Sequence, residues 1–301
     1  MRIAIAASPS VAIPTLDHLI DGEHQLVSIF SQPDRAAGRG RILTPTPVSQ
    51  WSIDHNIPLH RPERAIELKD LLEGIDCVVT IGYGLLLPQE ILDIPPYGFL
   101  NMHFSILPRW RGAAPVQRAI EAQDSLTGVT IFKLDAGMDT GPIYTIHRYA
   151  LDSDITSDEL FLELAEVGVG ALDEALNAMS EGVKPVAQSS EGATRALKLS
   201  RDEGRIDWSQ EAAVVSAKIR AFTSNPGAWT SFRGLVHKIS APRISELELN
   251  PGEISVVGKK VFIGTGSVAL EIGQITPSGK GLTDAAAWAN GARLIAGERC
   301  E

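Results

Sequence analysis

Residues 76–84 read Asp-Cys-Val-Val-Thr-Ile-Gly-Tyr-Gly, and this stretch decides the fold. The run at 77–81 is short, almost wholly apolar and rich in β-branched side chains, and a glycine turn ends it. That is the pattern of a strand buried on both faces, as parallel strands are. Comparable runs occur at 2–7, 25–31 and 98–103, with helical patterns between them at 11–20, 47–55 and 65–72. Strand–helix–strand alternation predicts βαβ units and a parallel sheet. Two further strands, at 128–134 and 143–149, flank a Gly-rich turn and predict a hairpin. A long helix follows over 157–180, with Ser157 as its N-cap.

The pattern changes after residue 180. Residues 181–205 form a polar connector that includes Gln188-Ser189-Ser190-Glu191-Gly192. A helix is expected near 212–222. Short apolar runs at 228–232, 235–240, 252–257, 260–263 and 268–272 then alternate with Gly and Pro, which predicts a small antiparallel barrel.

The balance of 44% hydrophobic and 21% charged residues over 301 positions is that of a water-soluble globular chain. No apolar run reaches the roughly 18–20 residues of a membrane helix. The short start, Met1-Arg2-Ile3-Ala4-Ile5-Ala6-Ala7, reads as a first strand rather than a signal peptide. Two distant cysteines, Cys77 and Cys300, exclude a disulfide framework and are too few for a zinc site, so a cytoplasmic location and no metal are expected. The net charge of −10 is uneven: residues 1–199 carry −11 and residues 200–301 carry +1. A polyanionic partner would need local basic surface.

The chemistry concentrates in two segments. Residues 101–108 are Asn-Met-His-Phe-Ser-Ile-Leu-Pro, and residues 134–142 are Leu-Asp-Ala-Gly-Met-Asp-Thr-Gly-Pro. Asn101 and His103 are two apart at a strand tip and therefore share a face. Asp139, in the Gly-rich turn, is placed to meet them. An amide, an imidazole and a carboxylate can stabilise an oxyanion and move protons, and a neighbouring carboxylate can hold an imidazole protonated at neutral pH. The same three residue types are also common in ordinary turns. Residues 83–88 follow a strand and so lie at the carboxyl edge of the sheet, where ligands of open α/β folds bind. Arg35, Arg39 and Arg41 sit in a long loop with Gly and Ala, suited to phosphates or simply to solvent. Arg109-Trp110-Arg111 offers two cations and a plane for an unpaired base, or a packed Trp with solvated flanks. No Gly-x-Gly-x-x-Gly follows the first strand, where Ala6-Ala7-Ser8-Pro9 stands, and this argues against a dinucleotide site.

Taken together, residues 32–40 (Gln-Pro-Asp-Arg-Ala-Ala-Gly-Arg-Gly), 83–88, 107–115 (Leu-Pro-Arg-Trp-Arg-Gly-Ala-Ala-Pro), 138–141, 198–200 and 205–209 (Arg-Ile-Asp-Trp-Ser) resemble the methionyl-tRNA formyltransferases of the folate-dependent formyltransferase superfamily. The resemblance covers nearly the whole chain. It departs from the family at Phe104, usually Gly, at Ile106 and at Ala7-Ser8. It implies a Rossmann-like α/β formyltransferase domain (1–182), a linker (183–204) and an OB-like β-barrel domain (205–301) that binds tRNA. It implies 10-formyltetrahydrofolate as donor and initiator methionyl-tRNA as acceptor, with no metal and no membrane. The chain is expected to act as a monomer. Asn101, His103 and Asp139 would be catalytic. Tyr83, Gly84, Leu85, Leu86, Leu87, Ser105, Ile106, Leu107 and Pro108 would contact folate. Arg35, Arg39, Arg41, Arg109 and Arg111 would contact tRNA. A formyltransferase acting on an amino-sugar or on a small ribonucleotide amine, and a catalytically idle RNA-binding protein on the same fold, are the competing readings.

Overall fold

The apolar runs become strands and the patterned stretches between them become helices. The computed structural model describes residues 1–37, 40 and 42–301; Arg39 and Arg41 lie outside the described residues. In chain order the N-terminal strands are β1 (Arg2–Ala7), β2 (Gln25–Phe30), β3 (Arg35–Ala37), β4 (Ile42–Thr44), β5 (Leu59–His60), β6 (Cys77–Ile81), β7 (Phe99–His103), β8 (Arg111–Gly112), β9 (Leu126–Lys133), β10 (Ile143–Ala150) and β11 (Arg195–Ala196). The helices are α1 (Ile13–Ile20), α2 (Pro47–Asp54), α3 (Gln89–Leu92), α4 (Pro115–Glu121), α5 (Ser157–Ser180), α6 (Ala212–Ala221) and α7 (Ala285–Ala292). The expected helix at 65–72 is a 3₁₀ helix, Ala65–Leu72.

The chain forms two compact units. The first comprises Met1–Pro115, Leu126–Ala150 and Phe161–Ala196. Its seven-stranded sheet runs β10-β9-β7-β6-β1-β2-β5. The strands β7, β6, β1, β2 and β5 are parallel, and β9 and β10 add an antiparallel hairpin beside β7. Five of the six β1 residues, Ile3 to Ala7, are fully buried, which explains why the strand reads as continuous apolar sequence. One core cluster joins Ala4, Ala6, Phe30, Leu68, Leu72, Val78, Ile91 and Phe99. Cys77 is buried in this sheet, and burial pushes its thiol up to about 12.

Strand order reverses between β1 and β6, since β2 continues on one side and β7 on the other. Such a switch point opens a crevice at the carboxyl ends of the strands. The loops after β1 and β6 meet there: a Cβ on Gly82 would come within 2.9 Å of Pro9 Cγ.

The second unit comprises Val116–Ser125, Leu151–Leu160 and Leu197–Glu301. Its sheet is antiparallel, ordered β12 (Trp229–Phe232), β13 (Leu235–Ile244), β16 (Leu270–Pro277), β15 (Lys260–Ile263), β14 (Ile254–Val257), with β17 (Thr283–Asp284) on β16. This is the curled sheet expected of an OB-like half-barrel. Phe232, His237 and Trp288 of α7 pack edge to face at its centre. The cap of α5 is Thr156, not Ser157. Thr156 Oγ1 accepts from the Glu159 amide at 3.3 Å and Glu159 Oε2 accepts from the Thr156 amide at 2.9 Å, a reciprocal capping box. The Ser157 hydroxyl donates instead to the Thr223 carbonyl. Among the described residues no helix is long and apolar enough to cross a membrane.

Candidate active site

β7 ends at the carboxyl edge of the sheet with Asn101 and His103 on one face, as their spacing requires. Asn101 pairs across the sheet with Phe132 and His103 with Thr130. His103 is 6% exposed and lies edge-on to Phe132. Asn101 is half-buried, and no described residue hydrogen-bonds its amide.

The ring of His103 is held at one nitrogen and faces a carboxylate with the other. Nε2 lies 2.9 Å from the Trp110 carbonyl, a group that can only accept, so Nε2 carries the proton. Nδ1 then presents its lone pair, 3.8 Å from Asp139 Oδ2. That separation is too long for a direct hydrogen bond but short enough for strong charge coupling. Burial, the dominant influence, lowers the His103 pKa below 6.5, against the opposing pull of Asp139 and the Trp110 carbonyl. The imidazole is therefore neutral at pH 7, which corrects the expectation that Asp139 holds it protonated. Desolvation of the cation outweighs one carboxylate at this distance.

Asp139 reaches this position through the β9–β10 turn. Asp135 Oδ1 accepts from the Gly137 amide at 3.0 Å and from Thr140 Oγ1 at 2.8 Å, which folds the loop on itself. Gly141 cannot carry a side chain, because a Cβ would lie 1.8 Å from the Lys133 carbonyl oxygen. Asp139 itself adopts φ 54°, and its Oδ2 accepts from the Gly112 amide at 2.7 Å.

The 105–110 loop is pinned from below. Thr130 Oγ1 donates to the Ser105 carbonyl at 2.7 Å and accepts from the Leu107 amide at 3.2 Å. Ser105 Oγ donates to the Arg109 carbonyl at 2.7 Å. The side chains of Ser105 and Leu107 are thus turned inward, and Ile106 and Pro108 are the half-exposed members of the segment. Phe104 points to the opposite face from His103 and meets Phe161 edge-on at 5.9 Å. Its bulk is absorbed by packing.

In the loop after β6, Tyr83 is buried in the core cluster and burial raises its phenol pKa. Leu85 and Leu87 pack against the same cluster, whereas Gly84 and Leu86 are exposed. Among the described residues the main-chain groups of residues 82–87 make no backbone hydrogen bonds outside the sheet. Such unpaired donors and acceptors, beside a crevice, suit the edge of a flat heterocycle. The residues present therefore fit a folate.

The arginines separate into two groups. Arg35 is exposed on β3, which pairs with β4, and Arg109 is exposed with its guanidinium 4.3 Å over Trp110. Arg111 is different: its Nε and Nη2 both donate to Gln188 Oε1, at 3.1 and 2.6 Å. Thr130, Gly112, Gln188 and Thr194, whose hydroxyl accepts from the Trp110 amide at 2.9 Å, were not singled out by sequence reasoning. Only Thr130 carries a sequence signal, as a hydroxyl within the apolar run Val129-Thr130-Ile131-Phe132. Among the described residues no group of three or more His, Cys, Asp or Glu is arranged to hold a metal.

Fold and site define the class, an α/β transferase with a second, β-rich unit. Residues 1–176 match the family described as formyl transferase, and residues 198–293 match its C-terminal domain. The chain is 41% identical to the methionyl-tRNA formyltransferase of Rhodococcus erythropolis, with 100% of both chains covered. It is 39% identical to that of Streptomyces coelicolor, with 99% of both covered. The chain belongs to the methionyl-tRNA formyltransferase family. HypX from Aquifex aeolicus, solved in complex with tetrahydrofolic acid, shares the fold with a TM-score of 0.71 at 21% identity. That match covers 96% of this chain and 47% of HypX, so the chain spans about half of HypX's length.

Proposed function

We propose that the chain transfers the formyl group of 10-formyltetrahydrofolate to the α-amine of methionine on initiator tRNA, in the cytoplasm and as a monomer. The observation that carries the reading is the approach of Asp139 to His103, with Asn101 two residues earlier on the same face of β7, in a chain about 40% identical over its length to methionyl-tRNA formyltransferases. When bound, the folate supplies the formyl carbon. The main chain at 82–87 and the half-exposed Ile106 and Pro108 hold it, with Tyr83, Leu85, Leu87, Ser105 and Leu107 shaping those loops from beneath.

The Asn101 amide donates to the oxygen that gains charge as the amine attacks. His103 Nδ1 takes the proton that the amine loses, since Nε2–H is already committed to Trp110, and would return it to the folate nitrogen that leaves as its bond to the formyl carbon breaks. Asp139 then faces an imidazolium and stabilises it. In this geometry His103 is the base and Asn101 the oxyanion donor, a division that the residue types alone did not make. Asp139 acts through charge on the ring.

The tRNA is met by Arg35, Arg39, Arg41 and Arg109 in the catalytic part (1–182) and by the C-terminal part (205–301), joined by residues 183–204. In the C-terminal part Arg233 is paired to Glu298 and Lys260 to Glu271, whereas Lys238, Arg243 and Lys259 are among the exposed bases that could meet phosphates. The direct test is formyl transfer to methionyl initiator tRNA by the purified chain, with free amino-sugars as competing acceptors. Formylation of the sugars in preference to the tRNA would overturn the reading.

A further inference from the structure

The segment after α5 reads as a connector, and most of it is exposed: Val186, Ala187, Ser189 and Ser190 all face solvent. One side chain turns inward. Gln188 Nε2 donates to the carbonyls of Asp139, at 3.0 Å, and Gly141, at 2.7 Å. Its Oε1 accepts both Arg111 bonds. A primary amide has two donors and two lone pairs, and here all four are used.

We propose that Gln188 is a positioning residue for Asp139, holding it from two directions at once. The two donated bonds fix the backbone of the turn on either side of Thr140. The two accepted bonds hold Arg111, whose neighbour Gly112 donates its amide to the Asp139 carboxylate at 2.7 Å. Strand β11 completes the frame by pairing Arg195 with Arg111 and Ala196 with Gly112. The frame is needed because Asp139 is a non-glycine residue at φ 54°, a conformation that the surroundings must enforce. Among the described residues the one basic group beside its carboxylate is His103, which stands off at 3.8 Å. Arg111 is accordingly part of this brace. The inference rests on the role given to Asp139 above.

Gln188→Glu separates positioning from simple anchoring. A carboxylate still accepts from Arg111, and more strongly, but it cannot donate to the Asp139 and Gly141 carbonyls. The experiment is steady-state formylation of methionyl initiator tRNA by the full chain as Q188E, D139A and the double variant, with thermal melting of each. Q188E is expected to melt within about 3 °C of the parent. Its kcat should fall about tenfold or more, with KM for both substrates within about twofold. In the D139A background it should cost nothing further, because a residue that acts through Asp139 has nothing left to position. Wild-type kcat in Q188E, with D139A impaired, overturns the inference alone, as does a Q188E loss that multiplies with that of D139A. Full turnover in D139A overturns instead the catalytic reading of Asp139. If Q188E does not fold, Gln188→Met, which lacks the donors without adding charge, is read by the same criteria.

Discussion

Thr130 offers the sharpest test of how the fold holds the site. It is fully buried on β9, opposite His103, and its hydroxyl is the link from the sheet to the 105–107 loop. Thr130→Val keeps the β-branched shape and opens no cavity, so the whole effect comes from the hydroxyl. Two buried groups lose their partner: the Ser105 carbonyl and the Leu107 amide. Each orphaned group costs about 1–3 kcal/mol, and the longer 3.2 Å bond to Leu107 belongs at the low end, so roughly 2–4 kcal/mol is expected in total. For a folding unit of this size that corresponds to a drop of about 5–12 °C in melting temperature. The loop also carries Trp110, whose carbonyl fixes the His103 ring, so turnover should fall roughly tenfold below the melting range. Calorimetry and steady-state formylation on the same preparation supply both readouts. A variant that melts within about 1 °C of the parent and turns over normally would refute the argument, since it would mean that water or loop movement satisfies both groups at no cost.

His103→Ala, Asn101→Ala and Asp139→Ala should each lower formyl transfer by about 10²-fold or more while the chain still binds a folate analogue by fluorescence titration. The base limb of the mechanism predicts a pH profile: the His103 pKa is lowered by burial, so kcat should hold through pH 6.5 and fall only below it. An acid limb centred above pH 6.5 would count against His103 as a buried base. The stability sign follows from the same shift. Above 6.5 the folded and unfolded rings are both neutral; below it the unfolded ring takes a proton first, so stability declines as pH falls from 6.5 toward the folded pKa. Gly112→Ala should destabilise by about 1–3 kcal/mol, because Gly112 has φ 122° and its new Cβ would sit 2.6 Å from the Ala196 carbonyl oxygen. A Gly112→Ala chain with unchanged melting and turnover would show that β8 shifts freely.

The parts of the fold that sequence makes legible are those governed by one residue and its near neighbours. β1 is apolar throughout because both its faces are covered, and its ends fall where the reading places them. Asn101 and His103 are legible as a pair because a strand repeats every second residue. The cap of α5 falls one residue from its expected position because Thr156 and Ser157 are chemically equivalent there; what decides between them is that Glu159 lies three residues after Thr156. The charge state of His103 is hidden from the sequence for a different reason. A carboxylate is visible in the sequence, but the depth at which the ring is buried is not. The bases of the C-terminal part show the same limit: the partners of Arg233 are distant in sequence, Glu298 accepting from its Nε and Nη2 and the Ala292 carbonyl from its Nη1.

The connector marks the sharpest boundary between what patterning reveals and what only tertiary structure does. Residues 183–196 are polar and aperiodic, which is the signature of a loop that owes its place to nothing. Yet Val186 bridges to Ile143, Thr194 receives the Trp110 amide, Arg195 and Ala196 pair with β8, and Gln188 joins Arg111 to the Asp139 turn. Each of these contacts is made by main chain or by a single amide or hydroxyl. Such contacts need no apolar stripe and leave no period in the sequence. A segment can therefore look dispensable by composition while carrying the bonds that set a catalytic carboxylate. The same logic predicts where substitutions in this stretch matter. Exposed Ser189 and Ser190 should tolerate Ala within about 0.5 kcal/mol, whereas Gln188 and Thr194 should not. Melting and turnover of Ser190→Ala beside Thr194→Val would show it: equal effects at the two positions would mean that the segment acts as a tether and not as a frame.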